Sequence, residues 1–436
     1  MNLLKDLTDM FNDTKCTANS MWNTFRDTFI NSTSKNIPHK TAKNKNGHPW
    51  IDAELKKQIR RQQRLYKKMK KTCDPDIKKA YRKHKHHLQK LTRQAYWQYI
   101  KGIVTPDDLD RPYTGMKKFW TYIKHRRKDN SGAPSLKLNG KLYCDPTTKS
   151  NILNQQFKSA FSQRTTFTSN EFADSHRMPD ADYPIMPDFK FTSNGIEKLL
   201  KGLNAHKALG PDKFSPRLLK KHSSEIAPLL QLVYQKSLDT SCVPEDWCKA
   251  NVTPIYKKGP KYLAENYRPV SLTSVCCKIM EHVLASNIMR HGEDNGILYQ
   301  LQHGFRRNRS CETQLIEFID DLTKNLQEGL QTDVLIMAFA KAFDKVNHSL
   351  LIHKIHQYGI RGKVNGWIKS WLSGRNQTVV VEGVNSSQVD VDSGIPQGSV
   401  LGPSLFIFYI NDLQDRLRST VRLFADDTIA YLTIAS

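Results

Sequence analysis

The chain has 436 residues, 38% of them hydrophobic, and carries 67 Lys and Arg against 42 Asp and Glu, a net charge of +25. That length accommodates two to four domains with a substantial core, and the charge calls for a polyanionic partner: RNA, DNA or an anionic membrane. No run of 18 apolar residues is present, so no membrane-spanning helix is expected, and the acid-bearing N-terminus lacks an apolar signal core, which argues against secretion.

In chain order, residues 1–36 are polar with Trp22, Phe25 and Phe29 at helical spacing, which predicts one helix. Residues 36–50 contain Pro38, Gly47 and Pro49 among many Lys and Asn and read as a linker. From Asp52 the pattern changes. Leu55, Ile59, Tyr66 and Met69 form one helical stripe, and Ile77, Tyr81, Leu88, Leu91 and Ala95 another, with the break at Asp74-Pro75. The predicted helical hairpin holds seventeen Lys or Arg against four Asp or Glu over residues 51–101. That excess is too one-sided for intrahelical salt bridging and points to nucleic-acid contact, with Lys67, Lys68, Arg82 and Lys83 as candidates. Tyr96, Trp97 and Tyr99 either stack on bases or pack the helix.

Residues 105–145 read as a loop-rich connection enclosing a short helix, Met116 to Arg127. Pro146 to Phe161 reads as a helix on an Ile152, Leu153, Phe157, Phe161 stripe, and 163–190 as a polar, proline-bearing boundary. Next come a helix capped by Thr192 or Ser193 and running through Ile196 to Leu203, a Gly210-Pro211-Asp212 turn, and a helix from Leu218 to Leu238. A strand from Ala250 to Tyr256 and a helix from Ser274 to Met289 complete the alternation, which predicts an α/β class. Eight cysteines are scattered without a Cys-x-x-Cys pair, the usage of a reducing compartment, and no zinc site is expected.

The chemistry concentrates near the C-terminal end of the sequence. Asp426-Asp427 stand between the strand-like flanks Val421–Phe424 and Thr428–Leu432, and paired carboxylates at a hairpin tip can hold Mg²⁺ against phosphates. Taken alone, the pair also reads as a solvated turn. Upstream lie Gly394-Ile395-Pro396-Gln397-Gly398, Ala338-Phe339-Ala340-Lys341-Ala342-Phe343-Asp344, Gln302-His303-Gly304-Phe305-Arg306 and Asn266-Tyr267-Arg268-Pro269-Val270-Ser271-Leu272. Together, and in their order along the chain, these five motifs resemble those of reverse transcriptases, in wording like that of non-LTR (LINE-type) retrotransposons, over roughly residues 195–436.

The resemblance implies a right-hand polymerase fold, an α+β palm with helical fingers lacking the thumb, preceded by a mostly helical N-terminal region. It implies four segments: a polar helix and linker (1–50), a basic helical connector (51–162), a linker (163–190), and fingers with a palm ending after the catalytic hairpin (191–436). The expected product is a partial protein, acting inside the cell in nucleus and cytoplasm as a ribonucleoprotein. Expected partners are an RNA template, a DNA primer and deoxynucleoside triphosphates, with no membrane. Two Mg²⁺ ions are implied, held by Asp426 and Asp427 with a third aspartate at the position of Ala338. Since a methyl group ligates nothing, catalysis is expected to be impaired, and Asp344 is not expected to reach the same ions. The resemblance further assigns Phe343 to a gate beneath the incoming sugar and Gln397 and Gly398 to the nucleotide and template base. It gives Arg268, Arg306 and Lys278, each of which singly reads as well as a surface cation, to the triphosphate, and Arg307 and Arg309 to the template backbone. Leu423, Phe424, Ile429 and Tyr431 are expected to lack some of their packing partners, leaving an open edge. Other readings are a non-catalytic RNA-binding remnant and, fitting less well, a group II intron-type maturase.

Overall fold

The computed structural model describes residues 2–11, 15–37, 48, 50–72, 74–104, 120, 133–162 and 183–434. The expected helix at 116–127, apart from Trp120, and most of the two expected linkers lie outside them. The chain divides into two compact units, one of residues 1–36 with 132–436 and the other of residues 37–131.

The smaller unit is the expected hairpin, helices α3 (Ala53–Thr72) and α4 (Pro75–Val104), which follow α1 (Asn2–Phe11) and α2 (Ala18–Asn36) in the sequence. Asp52 Oδ1 accepts the Leu55 amide at 2.8 Å and so caps α3, while Pro75 opens α4 where a missing N–H costs nothing. The two helices meet through Tyr66 and Tyr81 (centroids 5.6 Å apart), the His84 ring beside the Gln58 carbonyl, and the buried Leu55 and Leu88. Lys67, Lys68, Arg82 and Lys83 are exposed, because the apolar stripes of both helices are turned inward.

In the larger unit the expected N-terminal helix is two helices, α1 and α2. Helices α1 and α2, within a segment read from the sequence as polar and apart, are packed into that unit's core through Leu7, Phe11, Met21, Trp22 and Phe25. Trp22 and Phe25 are buried against Phe214, at centroid distances of 5.3 and 5.6 Å, and Trp22 also meets Trp247 at 5.1 Å. Arg26 pairs with Asp246, which also accepts the Trp22 indole N–H. Sparse aromatics in a polar helix hid this burial. Residues 133–162 also belong here: strands β1 (Leu136–Leu138) and β2 (Lys141–Tyr143) and helix α5 (Pro146–Lys158), whose Leu153 and Phe157 share a core with Val252 and Val379.

Helix α6 (Ser193–Lys201) has Thr192 as its cap, accepting the Gly195 amide. The single helix expected at 218–238 is α7 (Pro216–Lys221) and α8 (Ser223–Asp239), joined at His222. Then follow β3 (Lys249–Tyr256), β4 (Tyr267–Leu272), α9 (Val275–Asp294, capped by Ser274), α10 (Cys311–Gln327) and β5 (Gln331–Ala338). After these come α11 (His348–Gln357), α12 (Gly362–Leu372), β6 (Asn376–Val381), β7 (Val384–Asn385), β8 (Val389–Asp390) and α13 (Leu401–Tyr409). The hairpin strands are β9 (Thr420–Phe424) and β10 (Asp427–Ile434).

Two sheets carry the larger unit's chemistry-bearing segments. One runs β4-β3-β6-β7 with β8 paired to β6; the other runs β5-β10-β9. The architecture is the mixed α/β class expected. Contrary to the expectation of an underpacked hairpin, Leu423 and Tyr431 are buried, the Tyr431 ring edge-on to Phe318 at 5.3 Å. The outer edge of β9 is covered by the backbone of residues 301–303, with His303 donating to the Leu423 carbonyl at 2.8 Å. The exposed apolar row lies instead on β5, at Val334 to Met337.

Candidate active site

Strand β10 pairs antiparallel with β5 so that Asp427 faces Ala338 and Thr428 faces Met337. One step further, the Phe339 amide donates to the Asp426 carbonyl at 3.2 Å. Asp427 and Ala338 therefore occupy a non-hydrogen-bonded pair, where cross-strand side chains share one face and lie closest. At the tip Ala425 takes φ of 55°, the left-handed conformation needed to turn β9 into β10. Gln302 fixes that turn: its Oε1 accepts both the Ala425 amide at 3.0 Å and the Gly304 amide at 2.8 Å. Gly304 lies so near that a Cβ there would sit 2.3 Å from the Ala425 nitrogen, so only glycine fits beneath the hairpin.

These residues border a cleft of about 640 Å³, lined by Ala338, Asp426, Asp427, Phe343, Arg268 and Gln397 among others. After β5, Lys341 at φ of 53° turns the chain into a single 3₁₀ turn, Ala342–Lys345. Phe343 stacks on Phe406 at 4.3 Å with 18° between the planes, and stands edge-on to Phe305 at 6.3 Å. The turn at 393–398 is stitched to this segment. Gly394 and Ile395 donate to the carbonyls of Val346 and Phe343, both at 2.8 Å, and Ser393 Oγ to that of Asp344. A Cβ on Gly394 would meet the Asp344 carbonyl oxygen at 2.6 Å. Gly398, at φ of 107°, packs on the Ser271 carbonyl, while the Ser271 amide donates to the Gln397 carbonyl at 2.8 Å.

Three functional contributions escaped the sequence reading. Asp344 Oδ1 accepts the Gln397 side-chain amide at 3.0 Å, which fixes that amide within the cleft wall, and burial raises the Asp344 carboxyl above its ordinary range. Glu281, on α9 and fully buried, accepts the amides of Val400 at 2.7 Å and Leu401 at 3.3 Å. Its carboxylate thus caps the start of α13, directly after the glycine turn. Gln156, Phe157 and Ala160, from the segment expected to be a connector, line the cleft as well. None of the three carries a local signal, since each partner lies more than 50 residues away.

The candidate basic residues divide. Arg268 is exposed on β4 and lines the cleft. Arg306 is placed otherwise: it is buried, its guanidinium paired with the Glu293 carboxylate and donating to the Tyr299 carbonyl at 2.7 Å, and it is not among the cleft-lining residues. The turn at residues 305–308, where Phe305 and Asn308 take positive φ, aims the ring of Phe305 at the cleft and the guanidinium of Arg306 inward. Lys278 is half-buried on α9, burial lowering its ammonium pKa, and it too is not among the lining residues. Arg307 borders a groove shared with Arg290 and Phe305, and Arg309 lies 3.1 Å from His303 Nε2.

For a divalent ion the donor set is short. Asp426 and Asp427 supply two carboxylates, position 338 supplies a methyl, and among the described residues no group of three or more His, Cys, Asp or Glu is placed to hold a metal. The residues present do not complete a two-ion site.

The reverse transcriptase (RNA-dependent DNA polymerase) family profile matches residues 255–435. Over 279 residues, 63% of this chain and 30% of the relative, the chain is 29% identical to the probable RNA-directed DNA polymerase from transposon X-element of Drosophila melanogaster. It is 24% identical over 400 residues, 88% of this chain and 42% of the relative, to the RNA-directed DNA polymerase from mobile element jockey of Drosophila funebris. With a Pol polyprotein from the type-1 retrotransposable element R2 of Popillia japonica it shares 27% identity over 180 residues, 41% of this chain and 25% of the relative. In each case the chain spans less than half the relative's length. Residues 255–435 are a reverse transcriptase domain of the non-LTR, LINE-type class.

Proposed function

We propose that the chain is part of an RNA-directed DNA polymerase of a LINE-type element, taking an RNA template, a DNA primer and deoxynucleoside triphosphates, and that its nucleotide addition is severely weakened at residue 338. The observation that carries this reading is the pairing of Ala338 with Asp427 at the cleft that also holds Arg268, Phe343 and Gln397. Phosphoryl transfer is catalysed mainly by positioning and charge. In this reading Arg268 grips triphosphate oxygens through its planar guanidinium, Phe343 closes the floor beneath the sugar, and the backbone at Gln397-Gly398 admits the nucleotide closely. Intact members of the class use Mg²⁺, and an aspartate at 338 would complete the donor set. In this reading the matched segment supplies palm and fingers of a right-hand polymerase.

Primer extension on an RNA template in Mg²⁺, comparing the chain with its Ala338→Asp variant, tests this. The expected result is extension by the variant exceeding that of the natural sequence by about 10³-fold, the scale of losing one member of a catalytic unit. Equal extension by both would sink the assignment of residue 338. A second reading, a non-catalytic RNA binder, is favoured by the same methyl group together with the seventeen cations of residues 51–101. It predicts RNA binding with no extension by either protein.

A further inference from the structure

The three aromatics near the end of α4 are placed differently. Tyr96 and Tyr99 pack on Trp50, at centroid distances of 5.0 and 5.9 Å, whereas Trp97 is 62% exposed. The two half-buried tyrosines brace the helix, and among the described rings the Trp97 indole meets only that of Tyr96, edge-on at 5.6 Å, leaving most of its surface turned outward. At 3.6 residues per turn, Lys90, Arg93, Trp97 and Lys101 fall within about 80° of one another around the helix, over a rise of about 16 Å. All four are exposed and line a groove of about 1030 Å³ shared with the start of α3. The acids of that groove are engaged locally, Asp52 in capping α3 and Glu54 with Gln58 at 2.8 Å. A large planar indole kept in water between cations is costly as a surface feature and well suited to a π-face with flanking phosphates.

We propose that this face of α4 binds single-stranded nucleic acid, one unpaired base stacking on Trp97 while Lys90, Arg93 and Lys101 take the neighbouring phosphates. The site lies about 20 Å along α4 from Lys83, and thus apart from the cations at the turn of the hairpin. It requires no nucleotide addition and stands whether or not residue 338 disables the polymerase. Double-stranded helices offer no free base face, so the site discriminates single strands from duplex.

The test uses the full chain and end-labelled 20-nucleotide oligo-uridine, oligo-deoxythymidine and an RNA duplex of equal length, with affinity read by fluorescence anisotropy at three salt concentrations. Trp97→Ala is expected to weaken binding of one or both single strands about 5- to 150-fold, the range of one lost stacking contact, leaving the duplex affinity and the salt slope unchanged. Loss on both strands assigns shared base-and-phosphate chemistry; loss on oligo-uridine or oligo-deoxythymidine alone assigns RNA or DNA. Trp97→Tyr, which keeps a stacking ring, is expected to restore most of the affinity. Arg93→Ala is expected to lower the single-strand salt slope by roughly 0.7. The proposal is overturned if Trp97→Ala stays within twofold of the natural sequence on both single strands, or if the loss is equal on duplex. It is also overturned if Trp97 governs binding to phosphatidylserine vesicles instead.

Discussion

Ala338 and Asp427 face each other across β5 and β10, one a methyl and the other a carboxylate, at the mouth of the same cleft. The pairing makes residue 338 the cross-strand neighbour of a charge, so placing an aspartate there has a structural consequence as well as a chemical one.

Ala338→Asp sets like charges directly opposite in an antiparallel pair, which costs about 0.2–1 kcal/mol. Its melting temperature is expected to fall slightly below that of the natural sequence in chelator and to recover on adding Mg²⁺, while the natural sequence responds less to the ion. Differential scanning calorimetry with and without Mg²⁺ checks this, and a variant indifferent to Mg²⁺ would mean that the carboxylates do not converge.

Trp22→Ala is expected to destabilise the larger unit by about 3–5 kcal/mol, the scale of removing a fully buried indole. Denaturant unfolding followed by the near-ultraviolet signal of the remaining tryptophans reads the loss. A change below about 1 kcal/mol would show that α2 is not part of the polymerase core.

Glu281→Ala leaves the amides of Val400 and Leu401 without their carboxylate, at about 1–3 kcal/mol for each buried donor left unsatisfied. Faster hydrogen exchange is expected at those two amides and through Gln397-Gly398, with Glu281→Gln milder because its amide oxygen still accepts. Unchanged protection in Glu281→Ala would remove Glu281 from the support of the Gln397-Gly398 turn.

Asp212, buried in the Gly210-Pro211-Asp212 turn, has its carboxyl pushed up to about 6 by burial, against 3.8 for the ordinary value. A raised carboxyl pKa means that the folded state holds the proton more tightly, so this group's contribution falls as pH rises from about 4 to about 6. The full effect is about 3 kcal/mol. Relative to the natural sequence, Asp212→Asn is expected to gain stability progressively over that window. Carboxylates held low, such as Asp246 beside Lys249 and Arg26, act in the opposite direction, so the difference between the two proteins is the quantity to follow.

Replacing Lys67, Lys68, Arg82 and Lys83 together by alanine is expected to reduce the salt slope of RNA affinity by up to roughly 3, at about 0.7–0.9 per phosphate contact. An affinity that barely changes with salt in the natural sequence would contradict phosphate contact by the hairpin.

Much of this protein was legible locally. The strand-turn-strand around Asp426-Asp427, the basic helical hairpin broken at Pro75, the Thr192 cap and the ordered motifs all rest on residue type and short spacing, which backbone sterics and hydrogen bonding translate directly into turns and helices. Arg306 shows where such reading stops: its motif position pointed to a phosphate, but Glu293 and the Tyr299 carbonyl claim its guanidinium. Glu281, Asp344 and Trp22 likewise gain their roles from partners 119, 53 and 224 residues away. The sequence by itself determined which chemical groups the chain carries and that residue 338 is a methyl. Only tertiary structure decided which of those groups meet, because burial and hydrogen-bond saturation are settled where distant segments pack.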